Sequence, residues 1–245
     1  MFPGAPFSLS GLFVLLTLVV VVAVAKGVLV AARSHPVLGA AVARKFLLLV
    51  GVWLLICGVL AGCQVFTAAS MPPPLMLFML AAFCAVLYFS FSNFGLRLAA
   101  GLPLWALVAF HIFRLPLELL MHWGATLGVV PQLLTYSGSN YDILTGVFAL
   151  VLSLIAYRVS VPLRIFRVFN SIGLVLFVNV IVLSVLSRPT PFQQLSLDAP
   201  NIWVSFFPFI WLPTLLAPLA LGGHLILLRR LVAEETARRA QVKPH

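Results

Sequence analysis

Long runs of hydrophobic residues follow one another along this chain, separated by short polar breaks. Windows of about 20 apolar residues, the length a helix needs to cross roughly 30 Å of hydrocarbon, fall at 8–32, 46–69, 74–92, 98–123, 142–160, 168–187 and 205–228. The breaks have physical causes: Arg33-Ser34-His35-Pro36, the MPPP turn at 71–74, Ser92-Asn93 with Gly95, the polar TYSGSN at 135–140, Val161-Pro162 beside Arg164, and RPTP at 188–191. The pattern predicts an all-α, seven-transmembrane helical bundle over residues 1–230 with a short basic tail over 231–245. No soluble domain, low-complexity linker or internal repeat interrupts it.

The first window contains LFVLLTLVVVVAVAK, whose Ala23-Val24-Ala25 resembles a signal-peptidase site. No basic stretch precedes it and the apolar run continues to Ala32, so residues 8–32 are expected to be the first membrane helix. Lys26 lies within that helix, where its long stem can snorkel to the headgroups. Gly58 and Gly62 form a GxxxG that predicts close helix packing in the second span.

With seven spans, odd-to-even connections carry Arg33, Arg44, Lys45, Arg97, Arg164 and Arg167, Arg158 ends the fifth span, and the tail adds Arg229, Arg230, Arg238, Arg239 and Lys243. The opposite side has Arg188 alone. Cationic loops stay on the cytoplasmic side, so the N-terminus is predicted outside and the C-terminus in the cytoplasm. Tyr136, Tyr141, Trp123 and Trp203 then fall near the outer interface as an aromatic belt. In the tail, Glu234 with Arg238 and Glu235 with Arg239 at i,i+4 predict a helix that continues beyond the bilayer.

Composition agrees with this plan. Of 245 residues 63% are hydrophobic and 8% charged, with a mean hydropathy of +1.18, whereas about a quarter of residues are charged in soluble domains. The lipid bilayer is the first partner implied. The net charge of +10 does not indicate nucleic acid, because the cations sit in short loops between apolar runs rather than on one face of a polar domain. Cys57, Cys63 and Cys84 lie inside apolar runs and read as small buried residues.

The fourth window holds HIFRLPLELLMHW. At 100° per residue His111, Arg114, Glu118 and His122 lie at about 0°, 300°, 340° and 20°, one stripe roughly 16 Å long. A central charge in lipid costs about 2.5–3.5 kcal/mol even on the gentler scale, so the stripe is expected to face the bundle interior. Pro116 is expected to kink this helix. One reading is an ion pair of Arg114 with Glu118; the other is a pocket in which Arg114 binds an anionic or carbonyl group and Glu118 titrates. Asn140, Tyr141 and Asp142 should lie at the same level, with Asn140 capping the fifth helix and Asp142 in its first turn; Asp142 is also a second candidate partner for Arg114. At least one of Asn170 and Asn179 should face the bundle. Prolines 208, 213 and 218 make the seventh span irregular and kinked, as a helix lining a cavity or one merely packed askew would be.

Haem by paired histidines is disfavoured because His224 is expected well below His111 and opposite in depth to His122; haem or pigment held by one histidine stays open, and the cofactor is unknown. A metal on Glu118, His122 and Asp142 is conceivable. The last span has no lysine for retinal, and no Ser/His or paired-Asp arrangement points to hydrolysis. The elements FR at 113–114, EL at 118–119, Asn140 with DI at 142–143 and TG at 145–146, Asn170, FP at 207–208, WLP at 211–213 and HL at 224–225 resemble a group of bacterial polytopic membrane proteins with no settled activity. The resemblance spans about 111–225 and implies a bacterial inner-membrane location and a shared role for Arg114, Glu118, Asn140 and Asp142. Three functions follow as expectations: a non-enzymatic binding or accessory subunit of a membrane complex, a proton-coupled carrier of small molecules or lipids, and a haem- or pigment-bearing redox subunit.

Overall fold

Proline and serine set where the helices begin. Pro36 and Pro74 open the second and third, Ser92 accepts a hydrogen bond from Phe94 N at 3.2 Å to start the fourth, and Pro103 and Pro162 precede the fifth and eighth. The structure, a computed structural model, describes residues 2–32, 36–67 and 71–242. Among these it is all helix and loop: α1 (Phe7–Ala31), α2 (Pro36–Gly62), α3 (Pro74–Phe91), α4 (Asn93–Gly101), α5 (Leu104–Ala109), α6 (Arg114–Thr126), α7 (Ile143–Arg158), α8 (Leu163–Leu186) and α9 (Ala217–Val242). A 3₁₀ turn, Phe110–Phe113, fuses α5 and α6 into one span, and a π-helical segment, Leu212–Leu216, leads into α9.

Among the described residues six helical stretches are long and apolar enough to cross a membrane, as a multi-pass membrane protein requires. The expected fifth span is the exception. α7 has 16 residues, about 24 Å of helix, and is short because the loop before it folds into the bundle, where Leu134, Thr135 and Asn140 are buried. Irregular backbone survives inside a bilayer only against protein or a cavity.

Other boundaries move for identifiable reasons. The window at 98–123 is divided by Pro103: residues 93–101 form α4, and the crossing helix is Leu104–Thr126, interrupted by the 3₁₀ turn ahead of Pro116. α8 starts five residues before the predicted window, so Arg164 and Arg167 lie on it. α9 runs past residue 230 without a break, and within it Glu234 pairs with Arg230 at 2.9 Å rather than with Arg238, while Glu235 binds Arg239 at 2.9 Å and also Arg167 at 3.0 Å. The GxxxG does not bring two helices together: Gly58 faces the Phe207 ring and Gly62 faces open space. Cys57 is buried, but Cys63 and Cys84 are exposed. Trp203, expected at the interface, is a core residue packed 5.1 Å from Phe209. Lys26 lies on the exposed face of α1. Arg33 and Lys243, two of the cations counted toward the cytoplasmic side, lie outside the described residues.

α9 is the hub, packed against α3, α4, α5 and α8. Its Arg229 donates to the carbonyls of Ser90 and Ser92 at 2.6 and 2.9 Å, and Arg230 to those of Ala99 and Ala100 at 3.3 and 2.9 Å. Two arginines thereby bind carbonyls where α3 and α4 end, the Ser92 oxygen being shared with Leu96 N. The irregular entry to α9 is stabilised from α2: Pro218 has no N–H for the carbonyl of Thr214, and the Trp53 indole donates to it at 2.9 Å. Trp211 returns the contact by donating to Leu54 O at 3.0 Å.

A Trp53→Phe variant leaves that carbonyl without its donor and is expected to lose about 1–3 kcal/mol of stability, read by equilibrium unfolding in mixed micelles. Adding Pro218→Ala, which supplies a backbone N–H, should recover part of the loss.

Candidate functional site

Arg114 begins α6 at the middle of its span, 1% exposed. Its Nη1 donates to Asp142 Oδ1 at 2.6 Å, and its guanidinium carbon stands 5.3 Å from the centre of the Phe177 ring on α8, within range of a cation–π attraction. The i,i+4 pair with Glu118 is not formed. Sequence spacing allowed both carboxylates, and Asp142 wins because the loop carries it down to the level of Arg114. Close approach of the two helices requires a glycine there: a Cβ on Gly146 would strike the backbone of Leu115.

Glu118, one turn further on and 2% exposed, instead accepts from Asn140 Nδ2 at 2.9 and 3.0 Å. Asn140 also donates to Leu134 O at 3.0 Å, and its Oδ1 accepts from Asp142 N at 3.0 Å. It therefore does not cap α7 as expected. Asp142 occupies the capping position, and its Oδ1 takes Thr145 Oγ1 at 3.0 Å in addition to Arg114. The buried loop is thus held by side chains that satisfy one another's hydrogen-bonding groups. Arg114 Nε and Nη2 are the exceptions, with no hydrogen-bond partner among the described residues.

The remaining predicted residues lie apart. His122 is half-buried on α6, stacked on Tyr136 with centroids 4.4 Å apart and 3.1 Å from Ser137 Oγ; it packs against the loop and does not continue the inward row. Tyr141 is 52% exposed and turned out of the site. His111 is fully buried, and beside it lies His224, with ring centroids 4.0 Å apart and planes at 30°. Their expected separation in depth is corrected by the shifted span: with the helix starting at Leu104, His111 is about two turns from that end, close to the one to two turns between His224 and Arg229. Asn170 Oδ1 accepts from His224 Nδ1 at 3.0 Å, which makes Nδ1 the protonated nitrogen. Gly173 and Gly223 lie directly against these rings, so no macrocycle fits between them. Asn179, also engaged, donates to Ser139 O at 2.8 Å. Among the described residues no three His, Cys, Asp or Glu gather as metal ligands; His122 has turned away from Glu118 and Asp142.

A cavity of about 80 Å³ lies beside the cluster. Arg114, Glu118 and Asp142 form its polar wall, Met79, Phe177 and Ile181 part of its apolar wall, and the π-helical turn with Pro213 another side. At its far end stands Arg188, which donates to Asn201 O at 3.3 Å and Ser205 Oγ at 3.1 Å. Burial without an acidic partner lowers Arg188 to about 10. Sequence reading missed this end of the cavity because Asn201, Trp203 and Ser205 carry no periodicity that sets them inside a bundle.

Asp142→Asn removes the charge facing a buried guanidinium and should cost about 3–5 kcal/mol in equilibrium unfolding. Replacing both partners, Arg114→Met with Asp142→Leu, should cost far less. Equal losses in the single and double variants would show that the cost does not come from stranding the guanidinium.

The recognised elements at 111–225 fall inside a longer match. No curated protein and no solved structure matches the chain. A family model described as a domain of unknown function (DUF8737) covers residues 72–232, from the start of α3 into α9, and so contains the buried cluster, the cavity and the histidine pair. The chain belongs to that family.

Proposed function

We propose that this protein is a non-enzymatic, multi-pass membrane binding protein, an accessory subunit of a bacterial inner-membrane complex, that holds a small hydrophobic molecule in the cavity beside Arg114. The observation that carries the reading is a set of buried charged groups in the middle of an apolar bundle that line a cavity. Buried charges in membrane helices mark binding sites or ion paths, and pockets for small molecules are mostly apolar with a few placed polar groups. Seven spans are counted by letting α7 and the buried loop before it cross together. The arginines then put the C-terminus in the cytoplasm and the cavity toward the outer leaflet.

Arg114, Glu118, Asp142 and Asn140 are the assigned site; His111, His122 and Tyr141 are outside it. A second reading, a proton-coupled carrier, draws on Glu118 and the broken Leu212–Leu216 turn standing on the same cavity, an arrangement that carriers use. A haem or pigment role draws no support from the cavity, whose lining includes no histidine.

Extraction into polymer-bounded native discs, followed by mass spectrometry of the small molecules carried along, tests the binding reading. One species should be enriched over bulk lipid with the native chain and depleted with Val180→Trp, which fills the cavity; identical profiles would overturn it. For the carrier, Glu118→Gln in proteoliposomes should abolish pH-dependent uptake, and unchanged uptake removes that reading.

A further inference from the structure

Residues of α3 and α8 form one side of the cavity. α3 and α8 each pack on α9, and they meet one another through an edge contact of Phe83 and Phe177, centroids 6.2 Å apart. Toward the start of α3 and the end of α8 from that contact, Met76 and Met79 face Val180 and Ile181 across the cavity, all four half-buried. The cavity volume is about 80 Å³. It suits a head group and its first carbons, with a longer tail lying in the cleft between α3 and α8.

The inner wall selects the head. Arginine has donors and no acceptor, and Nε and Nη2 of Arg114 are unpartnered and buried, so an occupant must bring an acceptor oxygen. Its charge is also constrained. Arg114 is matched by Asp142 at 2.6 Å, with the Glu118 carboxyl beside them. Whether Glu118 carries its proton or not, the three groups sum to zero or to −1, and no surplus positive charge awaits an anion. A cationic head meets a guanidinium, and three of the four carboxylate oxygens there are already engaged: both of Glu118 by Asn140, and Asp142 Oδ1 by Arg114 and Thr145.

We infer that the cavity takes an uncharged, lipid-soluble carbonyl compound, a ketone, ester or quinone, which enters between α3 and α8 and places its oxygen on Arg114 Nε and Nη2. This rests on the binding reading above and names its ligand class. Arg188, with no acidic partner among the described ion pairs, is the competing seat for an anionic head at the cavity's far end.

The experiment uses the full chain in lipid nanodiscs and three photoreactive probes with one alkyl-diazirine tail, ending in a methyl ketone, a carboxylate and an ammonium. The ketone probe should label peptides around Met76–Met79 and Val180–Ser184 saturably, and unlabelled 2-dodecanone should compete it away. Labelling should fall about tenfold or more in Arg114→Met/Asp142→Leu, the loss of a hydrogen bond to a charged donor, with the carboxylate and ammonium probes at the level of Val180→Trp. Ketone labelling unchanged in the double variant overturns the role of Arg114. Stronger labelling by the carboxylate probe, lost in Arg188→Met, overturns the ligand class and leaves the binding reading standing. Failure of all three probes to label above Val180→Trp overturns the binding reading itself.

Discussion

The buried polar cluster of this bundle is built around the ion pair of Arg114 and Asp142. A guanidinium at the middle of a membrane helix has no water to turn to, and its nearest compensation comes from another segment of chain. Asp142 is delivered by a loop that must itself leave the aqueous phase, and that loop stays buried only because Asn140, Thr145 and Glu118 engage its polar atoms. The short α7, the close passage of Gly146 over Leu115 and the cavity beside Phe177 follow from bringing those two charges together. An apolar replacement for the pair would fill the same volume with fewer constraints, and in the proposed site the pair serves as a fixed wall.

The helical plan was legible because it depends on stretches of about 20 residues, over which hydropathy averages out local accidents. Prolines and serines gave its punctuation, but the breaks at Gly62 and Pro103 went unread. Two kinds of feature escaped. The loops 127–141 and 188–204 look like ordinary connections in one dimension, since burial of a polar segment depends on partners far along the chain. Trp203 illustrates this: its composition places it at an interface, and its packing against Phe209 puts it in the core. Partner choice escaped too, because periodicity places Arg114 and Glu118 on one face but is silent on what an opposing loop brings to it.

The two histidines show how sensitive depth arguments are to one boundary. Moving the start of a span from residue 98 to Leu104 shifts every later residue by about 9 Å along the axis, enough to set His111 beside His224. The stacked rings, with Asn170 and two glycines packed on them, form a compact polar contact between α8, α9 and the 3₁₀ turn. It lies next to the ion-paired cluster yet does not line the cavity, so the bundle holds a packing device and a cavity wall as neighbours.

Arg229 and Arg230 reach from α9 to the last carbonyls of α3 and α4, helices made well over a hundred residues earlier. During synthesis those ends must wait, hydrated or sheltered by other proteins, until the final helix is threaded into place. Closure of the bundle is therefore a late event in biogenesis, and a ribosome stalled before codon 229 would leave a set of inserted helices without their clasp.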